Sequence, residues 1–271
     1  MAKEYATKAF ADVEELAAQV EAVSVVVPTD RHYEVGCRLL DRGIHLLVEK
    51  PIAASTAEAE ELVARAQEKK SILQVGHVER FNPVLSFLDR LTRPPRFIEA
   101  HRLAPYPPPR PGLPPRGTEV SVVLDLMIHD LEVILHLVKA PVKEIRAVGV
   151  PVLSPTEDIA NVRLQFENGC VANVTASRIS PERMRKIRVF LEDTYISLDY
   201  QNQAGELFRK TAAGITREDI PIEKGEPLAL ELRSFLQCVI HRDQPVVSGE
   251  HAAEALKLAV AITRRIREGA T

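Results

Sequence analysis

Along the first hundred residues, short apolar runs alternate with amphipathic stretches. The run Val23 to Val27 stops at Pro28 and predicts a buried strand of the parallel kind. A helix is expected over Arg31 to Arg42, with Val35, Leu39 and Leu40 on one face and Gly43 as its stop. Ile44 to Val48 predicts the next strand. Ser55 with Glu58 three residues on is a capping box, and opens a helix that turns Leu62, Val63 and Ala66 inward. Ile72 to Val75 gives a third strand. Strand, helix, strand, helix, strand is the order of a parallel sheet with right-handed crossovers. Ahead of it, Met1 to Ala18 reads as a partial helix end, a short strand over Lys8 to Phe10 and a helix from about Asp12.

Beyond Phe81 the pattern changes. The segment 104–117, APYPPPRPGLPPRG, holds seven of the chain's 19 prolines and excludes regular structure. A helix is expected from about Val120 to Val138. Alternating runs follow at Ile145 to Val152, Ala160 to Phe166, Val171 to Ser177, Ile187 to Leu191 and Tyr195 to Leu198. Asn168-Gly169 is a hairpin signal between two of them. Leu228 to Val239 and His251 to Arg267 read as closing helices. The fold class expected is α/β: an incomplete Rossmann-type parallel sheet, residues 1–80, followed by an α+β domain, residues 81–271, built on a large, open, mainly antiparallel sheet.

Composition narrows the function classes. Of 271 residues 45% are hydrophobic and 27% charged, the balance of a globular chain. A net charge of −3 gives no broad surface for nucleic acid or membrane, so neither is expected as a partner. Cys37, Cys170 and Cys238 lack metal-like or redox spacing, the start lacks a signal-peptide core, and a reducing, cytoplasmic setting is expected. None of the 12 glycines forms a G-x-G-x-x-G, so the phosphate-cradling turn of a dinucleotide fold is absent from these residues.

Three segments carry candidate chemistry. In VSVVLDLMIHDLEVILHLV, Asp125, His129, Glu132 and His136 fall within a stripe roughly 80° wide on a helix that is otherwise apolar. A solvent-facing stripe usually carries Lys and Arg, and burying Asp and His is costly unless they serve each other or a ligand. A metal site on Asp125, His129 and Glu132 is the competing use of the same stripe, although one straight helix seldom surrounds an ion. Glu49-Lys50-Pro51 ends a parallel strand, where ligands collect in such sheets, and Lys50 there suits a proton relay or base; a surface lysine in a turn is the plain alternative. VGHVERFNP places His77, Arg80 and Asn82 at another strand end. Arg102, Arg110 and Arg116 attend the Pro-rich loop, which is either a spacer or peptide ligand, or a lid bringing three guanidiniums to a diphosphate.

Taken in order, VVVPTDRHYEV, VEKP, GHVERFNP and the Asp125-x-x-x-His129 pair resemble the glucose-fructose oxidoreductase and inositol dehydrogenase superfamily, from about Val23 to the C-terminus. RLAPYPPP and RGTEVSVVLDLMIHDLE resemble the branch of UDP-N-acetylglucosamine 3-dehydrogenases that feed lipid A synthesis. The resemblance implies hydride transfer between a sugar carbinol carbon, here C3 of a nucleotide-linked amino sugar, and NAD or NADP. It implies Lys50 and His129 as acid/base groups, Asp125 orienting His129, and Pro28, Thr29, His32, Glu49 and Lys50 along the cofactor. His77, Arg80, Asn82, Arg102, Arg110 and Arg116 fall to the substrate. It further implies a cleft between the two halves where Lys50, Asp125 and His129 converge, and a homo-oligomer, dimer or tetramer, on the open sheet face. Glu132 stands where the family often has Asp. Family members open with two βα units before this point, whereas Met1 falls within the second unit's helix; the expectation is an N-terminally truncated member that binds its cofactor weakly. A catalytically silent scaffold of the same fold and a metal-dependent sugar isomerase or hydrolase are the alternatives.

Overall fold

The computed structural model describes residues 2–269, and these divide into two compact units, residues 2–76 with 232–250 and residues 77–231 with 251–269. In the first, α1 (Val13–Ala17) precedes β1 (Ala22–Val25), α2 (His32–Leu40), β2 (His45–Glu49), α3 (Thr56–Lys69) and β3 (Leu73–Gly76). The strands lie in the order β1-β2-β3 and all pair in parallel, Val25 opposite Val48 and Val48 opposite Val75. Leu46, Val48, Leu62 and Val75 are fully buried, as continuous apolar strands between helices require. Ser55 accepts from the Glu58 amide while Glu58 accepts from the Ser55 amide, so the capping box forms as expected.

Two expectations near the start are corrected. Residues 8–10 form no strand, and α1 is only five residues long behind its Asp12 cap. The strand expected over Val23 to Val27 ends at Val25, because Val26 is 69% exposed and Pro28 leads into a 3-10 turn at Thr29–Arg31.

The second unit opens with tight turns at Val78–Phe81 and Pro83–Arg90, then β4 (Phe97–Leu103). A π-helical turn at Val123–Met127 runs into α4 (Ile128–Val138). Seven strands follow: β5 (Val142–Val150), β6 (Ile159–Phe166), β7 (Val171–Ser177), β8 (Met184–Phe190), β9 (Thr194–Asp199), β10 (Ala204–Thr211) and β11 (Gly214–Asp219). With β4 they form an eight-stranded sheet ordered β11-β10-β9-β8-β4-β7-β6-β5, antiparallel except where β4 lies parallel to β7. The chain passes back to the first unit within α5 (Pro227–His241) and returns within α6 (Gly249–Gly269). Segment 104–117 has no helix or strand, as its prolines dictate. None of the helices is long and apolar enough to cross a membrane among the described residues.

Buried alternation explains the sheet. Ile98, Ala100, Val162, Leu164, Val174, Ile187, Val189 and Ile196 are fully buried, while their neighbours along each strand point away. One inward position of β4 is not apolar. Arg102, only 4% exposed, donates through Nε (2.7 Å) and Nη2 (3.1 Å) to Asp130 of α4, and through Nη1 (2.7 Å) to Glu79. Arg185 of β8 reaches the same Glu79 oxygen at 3.1 Å. The guanidinium therefore bolts α4 and the 78–81 turn to the centre of the sheet. Removing one member of such a set strands buried charge, at about 3–5 kcal/mol. Arg102→Met is expected to lower the free energy of unfolding, measured by urea titration, by that order; a loss below about 1 kcal/mol would mean that Asp130 and Glu79 are not held by this cation.

Candidate active site

In the first unit the carboxyl ends of β1 and β2 present Thr29, Glu49 and Lys50, all half-buried. The Glu49 side chain accepts from the Lys50 amide at 3.2 Å and lies against Gly76, where a Cβ would come within 3.1 Å of it; Gly76 is bare because Glu49 fills the space. Pro28 is exposed. His32 departs from expectation. It is 1% exposed, and its ring nitrogens sit 2.8 Å from the Pro51 carbonyl and 3.0 Å from that of Val27. It ties two strand ends together instead of lying along a cofactor, because burial leaves its ring no open edge.

The second unit gathers more of the polar set. His77 follows β3 directly and is buried, its ring edge-on to His129 with centroids 5.7 Å apart. Arg80 is buried with its Nη1 3.7 Å from Glu132, and each keeps one polar atom, Arg80 Nη1 and Glu132 Oε2, outside any hydrogen bond. Tyr200, 3% exposed, adds a third such atom, its hydroxyl. Burial pushes the Glu132 carboxyl up to about 7, with Arg80 opposing. Asp125 lies on the π-helical turn, His129 and Glu132 on α4; π turns recur at functional sites because they re-aim side chains.

Other expected residues take different duties. Asn82 caps the 83–90 turn through Val84 and donates to the Tyr200 carbonyl, a structural use that its burial enforces. Arg102 is in β4 rather than on the Pro-rich segment, and its charge is spent on Asp130 and Glu79, so it is not a lid residue. Arg110 is exposed and donates to the Pro114 carbonyl; Arg116 is exposed. No group of three His, Cys, Asp or Glu side chains is placed to hold a metal ion among the described residues. Glu79, Asp130, Arg185 and Tyr200 were missed. They sit in the 78–81 turn, in α4, in β8 and just after β9, where only the three-dimensional partner reveals them, although the charged residues at buried spacings (Glu79 and Arg80 after a strand, Asp130 on an apolar helix) were a usable signal. Glu79, Asn82, Tyr200, Gln203, Arg183 and Arg185 are among the residues that line an open cavity in this unit.

The sequence and fold have close counterparts. Residues 1–77 match the family model described as an oxidoreductase family with NAD-binding Rossmann fold, and residues 94–197 match the GFO/IDH/MocA C-terminal domain. A UDP-N-acetylglucosamine 3-dehydrogenase of Acidithiobacillus ferrooxidans is 36% identical over 97% of this chain and 85% of its own length. A solved structure of that enzyme superimposes with a TM-score of 0.92 at 34% identity, covering 98% of this chain and 85% of that one. The scyllo-inositol 2-dehydrogenase (NAD(+)) of Bacillus subtilis is 25% identical over 92% of this chain and 76% of its own.

The raised pKa of Glu132 makes a signed prediction. The folded state holds this proton more tightly than the unfolded chain, so ionising Glu132 costs stability that is lost as pH climbs from about 4.5 to about 7. In Glu132→Gln that pH-dependent loss should vanish. Thermal melts of both proteins between pH 5 and pH 8 test it: the wild-type curve should fall relative to that of Glu132→Gln as pH rises, and parallel curves would show that Glu132 ionises normally.

Proposed function

The chain belongs to the GFO/IDH/MocA family of nicotinamide-dependent oxidoreductases, and from that premise we propose that it oxidises C3 of UDP-N-acetylglucosamine, reversibly, with NAD or NADP as hydride acceptor. The observation that carries the substrate is the 36% identity to a UDP-N-acetylglucosamine 3-dehydrogenase along nearly the whole chain. The residues present suit a nicotinamide nucleotide: Thr29, Glu49 and Lys50 are the half-buried groups at the carboxyl ends of parallel strands, where nucleotides dock. Thr29, Glu49 and Lys50 would hold the nicotinamide nucleotide, which would supply the acceptor for the hydride of C3.

The protein's own groups handle the proton. As C3 becomes a carbonyl, its hydroxyl proton passes to His129 or Lys50, one proton for each hydride, with Asp125 holding the imidazole. The His77 ring against His129 limits the orientations that imidazole takes. Arg183 and Arg185, on the cavity beside Asn82, take over the role of anion contact that Arg102 cannot fill. A homo-oligomer seated on the outer sheet face is part of the reading: Phe97, Phe190, Tyr195 and Phe208 stack there in a row with centroids 4.6 to 5.5 Å apart.

Two measurements follow. The purified protein with UDP-N-acetylglucosamine and NAD or NADP should raise absorbance at 340 nm; Lys50→Met and His129→Ala should each cut kcat at least about 100-fold while the melting temperature stays within a few degrees. Reduction of nicotinamide with an inositol but not with UDP-N-acetylglucosamine would overturn the substrate. In sedimentation at micromolar concentration a dimer or tetramer is expected, converted toward monomer by Tyr195→Glu; a wild-type monomer would remove the oligomer from the reading.

A further inference from the structure

The titratable residues of α4 continue past His129 to the protein surface. In regular helical geometry His129, Glu132 and His136 share a stripe about 60° wide. His136 is 29% exposed and its Nε2 meets Asp89 Oδ1 at 2.9 Å, at a recess also lined by Leu88 and Lys139. Glu132, between the two histidines, is buried, and Arg80 Nη1, Glu132 Oε2 and the Tyr200 hydroxyl around it make no hydrogen bond. Buried polar atoms with open valences therefore stand at the Arg80–Glu132 pair, whose closest approach is 3.7 Å. Their neighbours Leu131, Val133 and Ile134 are apolar, and Asp130, the other buried carboxylate of α4, is held by Arg102.

We propose that Glu132 and the His136–Asp89 pair form a proton path along α4, which carries the proton taken up at His129 out to solvent. This rests on the reading of His129 as the acid/base group. Each oxidation delivers one proton to a side chain, and it must leave before the next turnover; Glu132 accepts it from His129 and gives it to His136, which exchanges with water beside Asp89. The groups facing Glu132 are Arg80 from the 78–81 turn, Asp89 from the 83–90 turn and Tyr200 after β9, with His129 and His136 on its own helix. Burial poises Glu132 at about 7, a value at which a carboxyl both accepts and gives a proton near neutrality.

The test separates the path from the function beneath it. For the full chain, Glu132→Gln is expected to lower kcat at least about 10-fold with KM within about two-fold, to abolish the limb of the kcat–pH profile near neutrality, and to be partly rescued by Glu132→Asp. A Glu132→Gln enzyme that keeps its kcat and its pH profile overturns the path. Independently of turnover, carbon-13 NMR of glutamate-labelled protein, assigned by loss of one signal in Glu132→Gln, should show a carboxyl titrating near 7. A Glu132 signal that ionises between about 4 and 5 overturns the path as well. A Glu132 titrating near 7 in a protein inactive toward UDP-N-acetylglucosamine would instead remove the dehydrogenase reading and, with it, the path.

Discussion

Arg102 is the interaction on which the second unit depends. A guanidinium cannot shed its charge, so burying one obliges the fold to bring carboxylates to it. The two that it receives, Asp130 and Glu79, belong to the helix and the turn that carry His129 and His77. Holding them fixes the edge-on contact of the two histidine rings. Apolar packing alone leaves a helix free to slide and rotate by small amounts on a sheet; a bidentate bond to a buried carboxylate does not. The charge thus buys orientation where the packing supplies only adhesion.

The first unit was legible because its signals are local. A capping box, a glycine stop and three continuous apolar runs need no distant partner, and the parallel sheet forms where they place it. The second was legible in its alternating strands and less so elsewhere. β4 was missed because Arg102 occupies an inward position and breaks the alternation of Phe97 to Leu103. β11 was missed because every one of its residues is exposed, so no apolar face marks it; it exists by pairing with β10. The helix over Val120 to Val138 was seen, but its π-helical opening was not, since a wider turn leaves no mark on apolar periodicity.

The site was half legible for the same reason. Asp125, His129 and Glu132 announced themselves as polar residues on an apolar helix, a local anomaly. His32 and Arg102 resembled ligand contacts because sequence shows the chemistry of a side chain and not which way its charge or ring is spent. In the structure both are consumed internally, His32 by two carbonyls and Arg102 by two carboxylates.

The entry to α4 shows how far such internal spending extends. Arg178, fully buried, donates to Asp158 at 2.8 Å and to the carbonyls of Gly117 (2.6 Å), Val120 (2.9 Å) and Glu157 (3.0 Å). Asp158 in turn accepts from the Ser154 hydroxyl and from the amides of Val152, Leu153 and Ser154, and the Ser154 hydroxyl, Arg178 and the amides hold its carboxyl well below the usual carboxylate range despite its burial. One ion pair therefore gathers the 151–158 loop, the end of the Pro-rich segment and the start of the helix. Gly117, at φ +83, is pressed so closely on Asp125 that a Cβ would run into its carboxylate. The segment 104–117 has no helix or strand of its own, yet its last residue walls the carboxylate of Asp125. Its conformation is set from both ends, by β4 and by Arg178, and that is how a stretch of seven prolines delivers a glycine to one defined place.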